Sequence, residues 1–287
     1  MMNKIEFSLR KVANKIKLLL NSRKNSKIFP KNKIEPIVNF NRETLKKIDN
    51  WIDDEIYEKS IYQYGLPQHA KHLINLDIGK DINYSDAILY YSSFLKKDMK
   101  YLELGVSVGK NFFQVTNFLK NCNITGFDIE EINPILENFF HKSNRIEWET
   151  MNGSMKKTKS SLTTYSYPPN NNRITYVSGD IFDETSWKQL SGNKYNMIFS
   201  DAFHTPEALL HEFQMIKKYS LVDEDEFILI WDDLHGEMDS SFNQIWFDLS
   251  KKYNLNDNNK LRISLNGWLG QNEFVHKIGI ITKFRNA

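Results

Sequence analysis

The stretch YLELGVSVGKNFF, residues 101 to 113, decides the fold of this chain. A short apolar run that includes Glu103 enters a turn with Gly105 and Gly109, and a helical spacing of apolar residues starts directly after the second glycine. Such a turn between a strand and a helix lets a ligand approach the backbone, and the start of the helix offers free amide donors. The dinucleotide fingerprint Gly-x-Gly-x-x-Gly uses a closer pair of glycines. The spacing found here therefore predicts a ligand-binding turn and disfavours a nicotinamide-dependent dehydrogenase.

Short apolar runs alternate with helical stretches on the C-terminal side of this turn. The strand-like runs that follow are ITGFDI, ITYVSGDI, YNMIFSDA, EFILIWDD, RISLNGWLG and KIGIITKF. Strands separated by single helices need right-handed crossovers, which build a parallel sheet covered on both faces. The last two runs have no helix between them and predict an antiparallel C-terminal hairpin at the edge of the sheet. The expected fold is α/β and Rossmann-like, with a seven-stranded, mostly parallel sheet and a helical N-terminal region.

Residues 147 to 172 interrupt this alternation. They are rich in Ser, Thr, Asn and Lys and end in two prolines and three asparagines. Such a composition is typical of loops. We expect an excursion from the sheet, and the sequence leaves open whether it is a lid over a substrate or only a flexible loop.

A basic leader is predicted for residues 1 to 40. Its first 33 residues carry ten Lys or Arg and one acid, a balance of +9, which leaves −7 for the remainder because the whole chain carries +2. Apolar residues at helical spacing from Ile5 to Leu19 predict an amphipathic helix. It would dock on its own domain or on a second subunit of a homo-oligomer. Loose attachment to an anionic membrane or to nucleic acid stays open for the leader, although nucleic acid is not an expected partner of the protein.

The rest of the chain is divided into a helical cap region, residues 41 to 98, and a main domain, residues 99 to 287. In the cap region one predicted helix is closed by Gly65 and another is capped by Ser85. The single cysteine, Cys122, excludes an internal disulfide and a cysteine metal cluster, which fits a cytoplasmic setting. No stretch approaches the ~18 consecutive apolar residues of a membrane-spanning helix.

Carboxylates stand at the ends of two later strands. Asp201 ends the fourth predicted strand, and Asp232 and Asp233 end the fifth. Because the carboxyl ends of neighbouring parallel strands line one crevice, we expect the three acids to converge. Like charges repel and raise one another's pKa unless a cation neutralises them, and oxygen ligands suit Mg²⁺, Ca²⁺ or Mn²⁺ better than Zn²⁺.

Other roles for these residues stay open from the pattern alone. Asp233 is a candidate for a helix cap, and His204 precedes a helix start at Thr205, where a structural role beside the cap is an alternative. His235 and His276 are expected at the surface or outside direct contact with a ligand.

The chain resembles the class I S-adenosylmethionine-dependent methyltransferases over residues 85 to 284. The resemblance rests on ELGVSVG, FDIE, SGDIFD, the acidic strand ends and the terminal hairpin. It implies that S-adenosylmethionine is the cofactor and that its site is built by Glu103, Gly105, Ser107, Gly109, Asp128, Asp180 and Ile181. In this resemblance the glycine turn surrounds the methionine part, Asp128 holds the ribose, and Asp180 with the Ile181 backbone faces the adenine. The family turn often carries a third glycine where this chain has Ser107.

The segment DAFH followed by WDD is similar to the metal-dependent O-methyltransferases that act on sugar hydroxyls in natural-product (macrolide) biosynthesis. The resemblance implies that Asp201, Asp232 and Asp233 bind Mg²⁺ or another divalent cation and that His204 is the general base. Members of the group commonly have Asp-Gly-Asp-His where this chain has Asp201-Ala202-Phe203-His204. The metal position and the histidine are kept, and the middle acid is absent.

The expected function is therefore Mg-assisted transfer of a methyl group from S-adenosylmethionine to a hydroxyl of a sugar, a glycan or another vicinal diol. The sulfonium methyl is already electrophilic, so the enzyme must mainly supply an aligned and deprotonated hydroxyl. Two alternatives are kept. One is a metal-independent methyltransferase of the same fold, and the other is a non-catalytic protein that uses the basic leader to bind a membrane or nucleic acid.

Overall fold

A computed structural model describes residues 24–47, 81–151, 157–266 and 275–285. Within these ranges nine strands form one sheet, in the order β3-β4-β5-β2-β1-β6-β7-β9-β8. The strands are β1 (Lys100–Leu104), β2 (Asn123–Asp128), β3 (His141–Met151), β4 (Lys157–Tyr167), β5 (Asn172–Ser178), β6 (Met197–Ser200), β7 (Phe227–Trp231), β8 (Lys260–Asn266) and β9 (Val275–Lys283). The α-helices are α1 (Lys31–Lys46), α2 (Tyr84–Ser92), α3 (Lys110–Phe118), α4 (Pro134–Glu137), α5 (Glu184–Lys188), α6 (Pro206–Lys218) and α7 (Glu237–Tyr253).

The central five strands, β5-β2-β1-β6-β7, are all parallel, as the alternating pattern predicts. The chain starts in the middle at β1, builds outward through β2 and β5 on one side, and then returns to build β6 and β7 on the other. The strand order therefore reverses beside β1. Ligands of open α/β sheets bind at such a reversal, outside the carboxyl ends of the strands.

Helices cover both faces of this parallel core. All five residues of β7 are buried, and alternate residues point to opposite faces: Ile228 and Ile230 belong to one apolar cluster, and Leu229 to the other. The first cluster includes residues of α1, α2 and α3, and the second includes residues of α5, α6 and α7. A continuous apolar run thus gives a strand that is buried on both faces.

The predicted excursion at residues 147 to 172 is wrong, because most of it is sheet. Strands β3 and β4 pair antiparallel, and β4 pairs with β5, so the sheet has nine strands instead of seven. Between β2 and β3, the segment NPILENFFHKS (residues 133 to 143) forms only the short helix α4, since β3 begins at His141.

Polar residues in β4 explain why the hairpin was missed. Its buried positions include Ser160, Ser161 and Thr163, whose small side chains give no apolar alternation in the sequence. The Ser161 hydroxyl donates to Glu131 (3.1 Å), and the Ser160 hydroxyl lies 3.2 Å from that of Thr150. Hydroxyl pairs and β-branched residues stabilise such strands although the composition resembles that of a loop.

The N-terminal part packs on the sheet through helices. Helix α1 crosses the position between residues 40 and 41 where the leader was predicted to end, and Arg42 of α1 forms an ion pair with buried Asp86 of α2 (3.0 Å). Asn83 caps α2 in a capping box with Asp86, so the predicted cap at Ser85 is wrong. The Ser85 hydroxyl accepts a hydrogen bond from a glutamine of α3 instead.

The amphipathic helix predicted from Ile5 to Leu19 and the helix end at Gly65 lie outside the described residues. Among the helices that are described, none combines the length and the apolar character needed to cross a membrane. Cys122 is buried, as expected for a thiol that packs like a small apolar side chain, and burial raises its pKa to about 11.

Candidate active site

The glycine turn after β1 packs against the end of β6. Gly105 (φ 79°) donates its amide hydrogen to the Phe127 carbonyl (2.8 Å), and a Cβ atom placed on Gly105 would lie 2.3 Å from the Asp201 carbonyl oxygen. Gly109 (φ 85°) caps α3, and a Cβ atom there would lie 2.5 Å from Leu136. Gly105 is required by its left-handed backbone and by the neighbouring backbone carbonyl, whereas Gly109 is favoured by its left-handed backbone, since the Leu136 atom beside it is the end of a flexible side chain.

Asp128 holds this turn to the end of β2. Its Oδ2 accepts hydrogen bonds from the amides of Val106 (2.7 Å) and Ser107 (2.8 Å), and its Oδ1 accepts one from Glu130 (2.9 Å). Burial raises the pKa of this carboxyl group, and the amide donors oppose that effect. Asp128 therefore fixes the backbone of the predicted cofactor turn, and Ser107 is held there with a left-handed backbone (φ 52°).

Glu103 lies beneath the turn and is 1% exposed. Its Oε2 accepts hydrogen bonds from the Tyr101 hydroxyl (2.7 Å) and from Asn111 Nδ2 (2.8 Å). Burial raises the pKa of Glu103 well above its usual range, although both hydrogen bonds favour the charged form. The predicted cofactor residue is thus part of a buried polar network behind the turn.

Asp180 and Ile181 follow β5 at the same edge of the sheet. Asp180 Oδ1 accepts from the amide of Phe182 (2.8 Å), and the carbonyl of buried Ile181 accepts from the Trp187 indole (2.6 Å). Asp180 is partly exposed, so one of the two predicted adenine contacts faces the surface.

Large apolar side chains are exposed one or two positions after three of the strand-end acids. Ile129 is 63% exposed, Phe182 48% and Phe203 59%, and the rings of the two phenylalanines lie 6.4 Å apart in an edge-to-face contact. Exposed apolar groups of this size at a crevice are typical of ligand or partner contacts.

The acids Asp201, Asp232 and Asp233 follow β6 and β7 at the carboxyl edge of the sheet. The Asp201 amide donates to the Leu104 carbonyl (2.8 Å), and the Asp232 amide donates to the Ser200 carbonyl (2.9 Å), so each acid continues its strand by one position. Asp233 has a left-handed backbone (φ 51°). Successive residues of a strand point to opposite faces, and this conformation turns Asp233 back toward the side of Asp232.

His204 lies between two of these carboxylates. Its Nε2 is 2.9 Å from Asp201 Oδ1 and its Nδ1 is 3.3 Å from Asp233 Oδ2. Burial alone would lower the pKa of His204, but the hydrogen bond to Asp201 and the charges of Asp201 and Asp233 raise it to about 9. The helix that follows is capped by the Thr205 side chain, so His204 is not its cap.

The pKa of Asp201 is shifted by the same surroundings. Burial and the neighbouring charge of Asp232 raise the pKa of Asp201 to about 6, against the opposing effect of His204. The Asp201–His204 contact thus joins the predicted base to a carboxylate that orients it.

His276 belongs to this cluster, contrary to its expected place outside direct contact. Its Nδ1 forms a short hydrogen bond with Asp232 Oδ2 and lies 3.5 Å from Asp233 Oδ1. Burial would lower the pKa of His276, and the charges of Asp232, Asp201 and Asp233 raise it to about 9. The alternation of His276 with buried Ile278 and Ile280 is the signal in the sequence that places it on an inward face.

The structure also gives the location of His235 and tests the capping role considered for Asp233. His235 is half exposed, with its Nε2 3.8 Å from Asp233, which agrees with the expected surface location. Helix α7 has Gly236 as its N-cap without a side-chain bond, so Asp233 does not cap it.

A cation would find ligands in part of this cluster. Among the described residues, ligand atoms of Asp232, Asp233 and His276 all lie within 4.8 Å of one another. Asp201, the third predicted metal ligand, is not in this group and contacts His204 instead. Two carboxylates and one imidazole form a donor set that suits a divalent metal ion.

Comparisons with known proteins give no family for this chain. No family model and no curated protein matches it. Solved structures with partial similarity include an rRNA methylase from Streptococcus thermophilus, at 10% identity, covering 70% of this chain and 95% of that one, with a TM-score of 0.38. The plantazolicin methyltransferase BpumL, in complex with SAH and a pentazolic analog, is similar at 12% identity over 89% of this chain and 100% of its own, with a TM-score of 0.40. Precorrin 8w decarboxylase from Methanobacterium thermoautotrophicum follows at 12% identity, 69% and 89% coverage, and a TM-score of 0.36. At these values the similarity assigns no activity to this chain.

Proposed function

We propose that this chain is an S-adenosylmethionine-dependent methyltransferase that acts on a hydroxyl group with the help of a divalent cation. One observation carries the proposal. The crevice beside β1 has carboxylates with adjacent exposed apolar side chains on one side, at Asp128–Ile129 and Asp180–Phe182, and an acid–histidine cluster on the other. The carboxylates with apolar neighbours suit a nucleoside, and the acid–histidine cluster suits a hydroxyl acceptor.

The first side fits a nucleoside cofactor. Carboxylates accept hydrogen bonds from ribose hydroxyls, and apolar side chains pack on the flat faces of a base. Asp128 also orders the turn amides, and the two glycines keep that turn compact. When bound, S-adenosylmethionine supplies an electrophilic methyl group on its sulfonium centre.

The second side fits removal of a proton from the acceptor. His204 is partly exposed and is oriented by Asp201, so it can take a proton from a hydroxyl placed in the crevice. Asp232 and Asp233 stand beside it as cation ligands. A divalent ion held by these two acids would supply positive charge that lowers the pKa of an acceptor hydroxyl, and two neighbouring hydroxyls would suit such an ion, so the proposed acceptor class is a vicinal diol of a sugar or glycan.

A metal-independent methyltransferase of the same fold is the second candidate. The specific observation in its favour is that His204 and His276, both with a raised pKa, already lie against the three carboxylates and compensate their charge. In that case chelators would leave the activity unchanged, whereas cation-assisted transfer would be lost in their presence.

Calorimetric titration with S-adenosylmethionine and with its demethylated product tests the cofactor. We expect micromolar binding, on the order of −8 kcal/mol, and at least a tenfold loss for Asp128→Asn. Asp257→Asn is the matched control, because Asp257 is exposed and lies before β8, near the opposite ends of the parallel strands. Thermal melting of both variants checks folding. Failure of the wild-type protein to bind either compound would contradict the proposed function.

A further inference from the structure

We propose that the cation at this site is held by Asp232, Asp233 and His276, and that it is a transition-series ion such as Mn²⁺, Co²⁺ or Zn²⁺ in preference to Mg²⁺. This replaces the all-oxygen set of three aspartates predicted from the sequence. The role of the ion rests on the proposed function, whereas its binding needs neither cofactor nor acceptor.

The distances suit one ion. Three atoms bound to the same ion at about 2.1 Å lie roughly 3 to 4.2 Å from one another. The ligand atoms of Asp232, Asp233 and His276 already lie within 4.8 Å of one another, and His276 Nδ1 is 3.5 Å from Asp233 Oδ1. Small side-chain rotations therefore bring all three to coordinating distances.

The sheet fixes the position of the imidazole. Gly279 of β9 pairs with Trp231 at the end of β7, so β9 extends past β7 and carries His276 beside the two acids. The Leu234 amide donates to the Lys277 carbonyl (2.8 Å), which joins the loop after β7 to this extension. His276 is thus held by backbone pairing and not by a loose loop.

The buried ring of Tyr84 supports the same imidazole. The Tyr84 ring is centred 5.1 Å from that of His276 and stacks on Phe199 at 5.6 Å. Tyr84 is the first residue of α2, so the helical cap contributes a wall beside the cluster. A fixed ring direction favours coordination through Nδ1, the nitrogen that faces the carboxylates.

The donor types decide the metal. Mg²⁺ prefers oxygen ligands and keeps most of its waters, whereas imidazole nitrogen suits the later divalent ions of the first transition series. Asp201 would have completed an oxygen set, but it contacts His204. The mixed set of two oxygens and one nitrogen therefore selects against Mg²⁺.

Pulsed EPR of the full chain loaded with Mn²⁺ alone tests the nitrogen ligand. We expect a directly coordinated ¹⁴N coupling in the wild type. His276→Asn, which offers an amide oxygen in place of the imidazole nitrogen, is expected to remove it, and the control His235→Asn to retain it. No coupling in the wild type, or a coupling that survives His276→Asn and is lost in His204→Asn, would overturn the inference.

Competition calorimetry gives a second readout, whose main comparison is made on the wild-type protein. We expect Co²⁺ to bind about 100-fold more tightly than Mg²⁺, and His276→Asn to reduce that ratio at least tenfold if it folds. Equal affinities in the wild type would overturn the inference. Nitrogen coupling without binding of S-adenosylmethionine would support the metal site and contradict the proposed function. Binding of S-adenosylmethionine without nitrogen coupling would support the proposed function and contradict the metal site.

Discussion

The imidazole of His204 lies where positive charge is needed in a group of three carboxylates. With Asp201 2.9 Å from one nitrogen and Asp233 3.3 Å from the other, its pKa of about 9 keeps it protonated at neutral pH. A general base must be unprotonated. The proton on His204 and a cation on the acids thus compensate the same negative charge, and one weakens the binding of the other.

This competition gives a pH dependence for methyl transfer. At a subsaturating cation concentration we expect kcat/KM to rise with pH through about 9, since the active form of His204 is the deprotonated one. A saturating divalent ion adds positive charge beside the imidazole, lowers its pKa and moves the rise to lower pH. Profiles measured at two cation concentrations check this, and identical profiles would contradict it.

The turn between β1 and α3 shows how an element builds part of the site through close contact. Gly105 combines a left-handed backbone with the closest approach to Asp201, so this one position sets the spacing between the cofactor turn and the first acid. Gly192 also has a left-handed backbone (φ 84°) but has no other atom within 4 Å of its would-be Cβ. A comparison of Gly105 with Gly192 therefore separates the energetic cost of a left-handed backbone from the cost of a steric clash.

Alanine at each glycine tests that separation. We expect Gly192→Ala to lower the free energy of unfolding by about 1 kcal/mol, the cost of a left-handed alanine. Gly105→Ala should cost that amount plus roughly 1 to 3 kcal/mol more, because its methyl group overlaps a backbone carbonyl. Urea denaturation measures both. Equal losses would show that the turn moves away from Asp201 without cost.

The elements also show what the sequence can and cannot predict. The parallel strands and most of the covering helices were predicted, because the apolar period of 2 residues in a strand or 3.6 residues in a helix is a local property of each segment. The hairpin β3–β4 was missed, since several of its buried side chains are small hydroxyls, and that of Ser161 is satisfied by a partner distant in sequence, Glu131. The predicted location of His276 was wrong for a similar reason, because its contact with Asp232 depends on the pairing of β9 with β7.

Across the whole molecule, several ionisable groups bind protons more tightly when the chain is folded. Burial raises the pKa of Glu212 to about 7, with its Oε2 accepting from the Ser200 hydroxyl (2.6 Å), and His204 and His276 are raised to about 9. A raised folded-state pKa gives stability that is present below the unfolded value and is lost as pH rises through the folded one. All three groups act in the same direction.

We therefore expect the free energy of unfolding to decrease between about pH 4.5 and 9 in the absence of divalent ions. The part due to Glu212 is lost between its unfolded value and about 7, and amounts to at most about 3 kcal/mol. Glu212→Gln keeps an acceptor for Ser200 and should flatten that part of the curve. Urea titrations at pH 5, 7 and 9 measure it, and a stability that rises over this range would contradict the expectation.

The position of β9 between β7 and β8 has a consequence for the order in which the fold is completed. The ribosome makes β8 before β9, yet in this sheet β8 pairs with β9, so β8 joins the sheet together with β9 or after it. A growing chain can thus assemble its five parallel strands, the glycine turn and all the strand-end acids while its last two strands are still outside the sheet. The strand that then closes the edge also delivers His276, so completion of the sheet and completion of the proposed cation site are the same event in the life of the chain.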